Sequence, residues 1–453
     1  MSFTNMKLSD LCVEISYGYT ASATENDTGC KFLRITDIQG GYVDWDKVPF
    51  CEIESKDISK YQLIEGDIVI ARTGNSTGEN FIFQGKNNAV FASYLIRYRV
   101  NKEIANPYYI WLNLRSFNWW GFVSGAKSGS AQAGANAKVL GTFEIPIPDL
   151  QTQNKIADFF QHLNKKIQLN TQINQTLEQI AQALFKSWFV NFDPVRAKVQ
   201  ALSDGLSLEQ AELAAMQAIS GKTPEELTAL SQAQPDRYAE LAETAKAFPC
   251  EMVEVDGVKV PKGWEVKELG SLMTIKRGGS PRPIKDFISD KGLNWVKISD
   301  ATAEDNPFLF STKEYIKSEG LSKTVLLKKG SLILSNSATP GLPRFLELDA
   351  CIHDGWLYFS DIKSLTQEYL YFFFLNIRND LVAQGNGSVF TNLKTDIVKA
   401  QKAIVPDERA ICYFDKQVKS IMNLIKYNTA NSISLKETRD LLLPRLLNGE
   451  LNG

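Results

Sequence analysis

Tyr108-Tyr-Ile-Trp-Leu-Asn-Leu-Arg115 and Tyr371-Phe-Phe-Phe-Leu-Asn-Ile-Arg378 are one eight-residue pattern written twice, 263 positions apart. A repeat sets the architecture before any single element is assigned, and here the flanking sequence repeats too. Upstream, Leu33-Arg-Ile-Thr-Asp37 answers Val296-Lys-Ile-Ser-Asp300 in the same apolar, basic, apolar, hydroxyl, acid order. Gly66-Asp-Ile-Val-Ile70 answers Gly330-Ser-Leu-Ile-Leu334, each a turn glycine feeding a short apolar strand. Downstream, Ser128-Gly-Ser130 matches Asn386-Gly-Ser388, and Pro148-Asp149 matches Pro406-Asp407, both at 258. Five matches in one order imply an internal duplication.

After each Pro-Asp comes a long helical pattern. One seven-residue position reads Ile156, Leu163, Asn170, Leu177, Leu184 in the first copy and Phe414, Ile421, Asn428, Leu435, Leu442 in the second. Phe160 and Ile167, answered by Val418 and Ile425, widen the stripe into a heptad seam with one asparagine at its centre. A helix that only covered its own lobe would leave the matched asparagines unexplained. Two helices paired antiparallel would bring Asn170 and Asn428 near each other, where a buried amide costs stability but fixes register. The expected fold is α+β: two globular domains separated by two long helices forming an antiparallel coiled coil, with a pseudo-twofold internal duplication. The first helical segment, Gln151 to Val190, would span about 60 Å if continuous. The stretch from Ala197 to about Pro249 is rich in Ala, Glu, Gln and Leu, with Thr223-Pro-Glu-Glu226 shaped like a helix start. It has no counterpart in the first half and reads as a helical insertion before the second lobe, which opens at Pro261-Lys-Gly-Trp-Glu265.

With 453 residues, 44% of them hydrophobic, the chain can bury two or three separate cores. The stretch MSFTNMKLSD has no basic patch followed by an apolar core, so no secretory signal is expected. The most apolar run, Tyr369 to Ile377, is far short of the ~20 residues a membrane helix needs. A soluble, cytoplasmic protein with no membrane partner is the expectation. Six cysteines, at 12, 30, 51, 250, 351 and 412, form no close pair, which argues against a disulfide framework and a thiolate zinc site. With only His162 and His353, no metal site is expected and histidine-led chemistry has little to work with. The formal net charge of -2 is unevenly spread: residues 200–260 hold eleven acidic against four basic side chains, leaving 46 basic against 41 acidic elsewhere. Any affinity for a polyanion must come from localised patches.

Catalytic signatures fail on particular residues. Gly221-Lys-Thr223 resembles the end of a phosphate loop, but Met216 stands where the first glycine is required. Asn191-Phe-Asp-Pro194 has the wrong order for the base-gripping motif of amino-methyltransferases, and no Gly-x-Gly cofactor loop precedes it. Pro406-Asp-Glu408 lacks the lysine of a restriction nuclease. No acid, base or nucleophile set stands out in either copy, so no catalytic residue is expected.

The positive evidence lies in polar loops beside the duplicated strands. Arg72-Thr73-Gly-Asn75-Ser76-Thr77 follows the first Gly-Asp strand, and Asn336-Ser337-Ala-Thr339, with Arg344 close behind, follows the second. Such loops offer amides and hydroxyls to phosphates, while Arg and Asn bond bidentately to guanine and adenine edges. Lys276-Arg277-Gly-Gly-Ser280 and Arg282 add a basic turn to the second lobe, where Tyr17-Gly-Tyr19 holds the equivalent place in the first. Arg34 and Lys297 of the repeated strands, and Lys127, Lys138 and Lys394 in or after the repeated Gly-Ser turns, complete the candidate DNA contacts. The lobes are alike in frame and unlike in loops, which suits two readers of different sequences.

These features together resemble type I restriction-modification specificity subunits. The more specific pieces are Glu144-Ile-Pro-Ile-Pro-Asp149 leading into Lys155-Ile-Ala157, Trp188-Phe-Val-Asn-Phe-Asp-Pro-Val195, and Leu442-Leu-Pro-Arg-Leu-Leu-Asn-Gly-Glu450. Arg409-Ala-Ile-Cys-Tyr413 departs from the family's Gln-rich, Ile-Ala helix start. The resemblance implies a target recognition domain over 1–150, a helical spacer over 151–196, the insertion over 197–260, a second target recognition domain over 261–407 and a second spacer over 408–453. It implies a non-catalytic reader of a split, asymmetric site in double-stranded DNA, bound to two adenine-methylating subunits and to restriction/translocase subunits. S-adenosylmethionine, ATP and Mg would bind those partners and no cofactor this chain. The alternatives are a duplicated scaffold binding peptides or glycans, and a fused methyltransferase-reader, which would need a cofactor loop the sequence lacks.

Overall fold

The two heptad stretches fold as forty-residue helices, Leu150–Phe189 and Glu408–Leu447. The repeated Pro-Asp dipeptides start them: Asp149 accepts the backbone N–H of Thr152 at 2.9 Å, and Asp407 that of Arg409 at 2.9 Å. Satisfying the orphan N–H groups of a first turn is what an acidic cap does. The computed structural model describes residues 3–128, 135–255, 257–303, 306–385 and 393–450. It divides into two compact units, Met1–Leu169 with Ser432–Gly453, and Asn170–Asn431.

In the first unit, one sheet holds Cys12–Tyr17, Leu95–Val100, Asp67–Ala71 and Asn80–Ile82 in that spatial order. A second orders Ala23–Thr24, Phe50–Cys51, Lys31–Leu33 and Ala89–Phe91, the last two strands running parallel. Thr4–Lys7 and Glu144–Ile147 close the lobe as an antiparallel pair. Asp67–Ala71 is buried at every position, which is why it reads as a continuous apolar run rather than an alternating one. Helix Pro107–Asn113 carries the opening repeat; Asn106 caps it, accepting from the N–H groups of Tyr108 and Tyr109. Ile156, Ala157 and Phe160 of the first long helix join Leu446 and Leu447 of the second in this unit's largest core, with Leu163, Leu442 and Leu443 packed against it.

In the second unit, Thr274–Arg277, Trp356–Ser360, Leu332–Ser335 and Pro343–Leu346 take the same spatial order as their counterparts, with Phe308–Leu309 added at the edge. The other sheet orders Ile288–Ser289, Glu314–Ile316, Leu293–Val296 and Ala350–Ile352, again with a parallel last pair, and gains Val325–Leu327. Glu265–Glu268 and Lys402–Val405 form the closing pair. Here Ala181, Phe185, Trp188 and Phe189 of the first long helix share a core with Phe414, Val418 and Ile425 of the second. Asn170, 1% exposed, donates its amide to the carbonyl of Asn428 at 3.3 Å and to Asn431 Oδ1 at 3.0 Å, while Asn428 donates to Asn174 Oδ1 at 3.0 Å.

Residues 193–246 contain four helices, Asp193–Ser203, Leu208–Ser220, Pro224–Ala233 and Pro235–Lys246. Thr223 starts the third through a capping box with Glu226, and Gly221, at φ +65°, caps the preceding helix. The Gly221-Lys-Thr223 lookalike is therefore an interhelical joint. Lys198 is buried here and donates its ammonium to the Phe248 carbonyl at 2.7 Å; burial lowers its pKa. Among the described residues no helix is long and apolar enough to cross a membrane.

Candidate nucleic-acid interface

In each lobe a glycine lets the two sheets approach closely. A Cβ on Gly18 would lie 2.3 Å from the carbonyl oxygens of Phe91 and Ala92; one on Gly278 would lie 2.3 Å from that of His353 and 2.6 Å from that of Ile352. No side chain fits so close to backbone. The bonds around the two glycines match: Gly18 N–H donates to Leu95 O and Tyr19 N–H to Phe91 O, as Gly278 N–H donates to Trp356 O and Gly279 N–H to Ile352 O.

Around this crossing the frame is shared and the side chains differ. In the first lobe Arg72 Nε donates to the Ser93 carbonyl at 3.1 Å, and its guanidinium lies over the Tyr17 ring, 5.1 Å from the centroid. The Arg72 carbonyl accepts from Ala135 N–H, and the Tyr17 hydroxyl accepts from Ala137 N–H at 3.2 Å. Tyr17 and Tyr94 stay exposed beside it. In the second lobe Asn336 stands at the Arg72 position: its amide donates to the Asp354 carbonyl at 3.1 Å and its own carbonyl accepts from Leu393 N–H. Arg277 takes the place of Tyr17 and Asp354 that of Ser93. Arg277 donates to the Asp354 carbonyl at 2.8 and 3.2 Å, Ser280 Oγ donates to Asp354 Oδ1 at 2.6 Å, and Arg282 donates to Oδ2 at 3.4 Å. The Ser280 bond is the largest cause holding the Asp354 carboxyl below its usual range. One lobe thus presents a cation on an aromatic face, the other an acid flanked by two arginines.

Comparison with known proteins follows the same division. The type I restriction modification DNA specificity domain model matches residues 2–179 and 261–435. The specificity subunit of the type I restriction enzyme HindI of Haemophilus influenzae is 42% identical over 444 residues, covering 91% of this chain and 94% of that protein. The chain belongs to the type I restriction modification DNA specificity family. The MjaIX specificity subunit of Methanocaldococcus jannaschii is 22% identical over 395 residues, covering 85% of this chain and 75% of that one. A crystal structure of the S subunit from M. genitalium shares the fold, with a TM-score of 0.57 at 12% identity over 98% of this chain and 96% of that one. As a specificity subunit the chain recognises the DNA target and is the non-catalytic component of its restriction-modification system.

Of the candidate contacts of this specificity subunit, Tyr17, Arg72 and Lys138 gather at the first crossing, and Arg277, Arg282, Asn336 and Ser337 at the second. Thr73, Asn75 and Ser76 lie on or beside an accessible turn, Gly74–Ser76, where Ser76 Oγ accepts from Gln39 at 3.1 Å. Lys276, Lys138 and Lys394 are exposed; Lys138 is the second residue of helix Ala137–Gly141, while Lys394 holds the N-cap position of Thr395–Lys399 and aligns with Asn136. Several expectations are corrected. Arg344 sits in a wholly buried strand and donates to the Ala301 and Pro343 carbonyls, so it braces the lobe interior. Asn336 is buried as well, its amide spent on the frame. Arg34 is bound bidentately to Asp37, and Lys297 pairs with Glu314; both belong to a repeated turn in which the acid accepts the backbone N–H three residues earlier, Arg34 at 2.8 Å and Lys297 at 3.0 Å. The LRITD and VKISD repeats therefore encode a turn. Tyr19 is half-buried against Tyr61. The Lys127 side chain, Ser128-Gly-Ser130, Asn386-Gly-Ser388 and Asn392 lie outside the residues whose side chains or backbone are described. Sequence reasoning missed Ser93, Tyr94 and Asp354. The Gly18 and Gly278 pair, at an offset of 260, was the available signal for the crossing; Asp354 had none, because its counterpart is a serine.

Proposed function

We propose that the two lobes read the two halves of a split, asymmetric target in double-stranded DNA, one half each, and that the chain brings that target to two adenine methyltransferase subunits and to restriction/translocase subunits. S-adenosylmethionine, ATP and Mg bind to those partners rather than to this chain. The observation that carries this reading is the repeated crossing: strand order, glycine and backbone bonds recur, while Tyr17, Arg72 and Ser93 give way to Arg277, Asn336 and Asp354. A common frame with exchanged side chains is what a chain needs to dock on one kind of polymer and read two sequences.

The long helices serve as the ruler between the half-sites. Two facts support an antiparallel pair descended from a duplication. The start of the first helix packs with the end of the second, and the end of the first with the start of the second. The matched asparagines bond across them. Forty residues correspond to about 60 Å of helix, against about 34 Å for one turn of B-DNA. The working division is two target recognition domains, 1–150 and 261–407, two spacers, 151–196 and 408–453, and an insertion at 197–260.

Modified-base sequencing of DNA from cells expressing the chain with its cognate methyltransferase, beside cells lacking the chain, tests the reading. Methyladenine at one split motif, lost on deletion, is expected. An unchanged methylation pattern with active methyltransferase would refute it.

A further inference from the structure

Contacts to phosphate are useful at any DNA sequence, so two lobes of common frame should share them; contacts to base edges should be where the lobes differ. By that criterion Lys138 and Lys394, each exposed at the start of the short helix that follows the crossing, are backbone contacts, and Arg72, whose counterpart is an asparagine, is a candidate base contact. Asn336 is folded inward, but Arg72 is not. Its Nε edge is held by the Ser93 carbonyl at 3.1 Å and its face by the Tyr17 ring. Tyr17 is itself tethered, through its hydroxyl, to Ala137 N–H. Held on one edge and one face, the guanidinium keeps its two terminal nitrogens, which have no protein partner among the described residues, as a planar fork at the partly exposed crossing. A fork held this way has lost most of its rotamer freedom before binding, which favours a bidentate acceptor pair of fixed spacing. In the DNA grooves that pair is O6 and N7 of guanine.

We propose that Arg72 reads a guanine in the half-site of the first lobe, through Nη1 and Nη2, with Tyr17 and Ser93 as the residues that position it. The inference rests on the reading of each lobe as a half-site reader. Lys138, one helix start away, supplies sequence-independent affinity.

The test uses the full chain in complex with its methyltransferase, reading the methylated motif in cells and, with purified complex, affinities for oligonucleotides carrying each base at each position. R72A should leave one guanine position of one half-site degenerate, with discrimination there falling about tenfold to a hundredfold, and the other half-site untouched. R72N, which imports the second lobe's residue and can turn its amide to the Ser93 carbonyl as Asn336 does to that of Asp354, should lose the guanine preference at that position. K138A should weaken binding to every oligonucleotide alike and lower the salt dependence. Arg72 variants that behave like K138A, weakening all sequences equally, would make Arg72 a phosphate contact and overturn the proposal. So would an unchanged motif in R72N, or a wild-type half-site without guanine at the affected position. A wild-type complex with no split motif would instead sink the half-site reading itself.

Discussion

The two lobes share the order of their main sheets and the glycine crossing, yet they stabilise the strand beside that crossing by opposite means. In the first lobe Asp67, with its carboxylate fully buried, accepts from Arg99 at 2.8 and 2.9 Å and from Ile64 N–H at 2.9 Å, and Glu14 joins both Arg99 and the buried Arg97. In the second, Ser331 holds the Asp67 position and Thr274, Tyr358 and Ser360 hold those of Glu14, Arg97 and Arg99, so the buried charge cluster has no counterpart there. The frame therefore specifies backbone geometry and leaves the interior chemistry free. The same freedom at the rim is what lets the loops diverge.

The difference between interiors should appear first in stability. Asp67→Ala leaves the Arg97–Arg99 pair short of a buried counter-charge and should cost about 3 kcal/mol, seen as early unfolding of residues 3–128 in hydrogen exchange; Ser331→Ala should stay within about 0.5 kcal/mol. Equal losses would mean that the lobes are alike inside as well as in frame. Gly18→Ala and Gly278→Ala should each cost about 1–3 kcal/mol by forcing the sheets apart, in equal measure because both would press on a backbone carbonyl at 2.3 Å. Gly121→Ala, in a helix with nothing within 4 Å of the added Cβ, is the matched control and should be neutral or stabilising. A glycine pair with unequal costs would break the equivalence of the crossings.

The smallest expected difference is one of pH. Burial lowers the pKa of His353, which lies between Trp295 and Trp356, while the first lobe has Ala92 in its place. With the folded value below the unfolded one of about 6.5, the unfolded chain binds the proton more readily. Stability of the second lobe is thus full above about pH 6.5 and falls as pH drops from there through the folded value. Hydrogen exchange between pH 7.5 and 5.5 should show the second lobe losing protection relative to the first. Parallel behaviour of both lobes would contradict this.

Much of the architecture was legible because repetition multiplies weak signals. Four of the five matched motifs, the heptad stripe with its asparagines, the Pro-Asp starts and the helical insertion each rest on local rules of spacing and capping, and each has a local structural counterpart; the Gly-Ser turns lie outside the described residues. The sheet order was not legible, since it depends on pairings between strands some 60 residues apart, such as Lys31–Leu33 with Ala89–Phe91. The candidate contacts were legible only as loops. Whether an arginine near a loop faces solvent, as Arg72 does in part, or turns into a buried strand, as Arg344 does, is decided by packing that no short window of sequence contains. Arg34 and Lys297 stand out in the sequence because the repeat that holds them encodes a turn, and each pairs with an acid of its own lobe.

A chain in which each lobe reads its own half of the target should be separable by mutation, and modified-base sequencing of two variants side by side measures this: R72N in the first lobe and a double R277A, R282A variant in the second. Alteration of one half of the methylated motif by the first variant and of the other half by the second, with the spacing unchanged in both, is the predicted result. Either variant altering both halves, or both variants altering the same half, would contradict it.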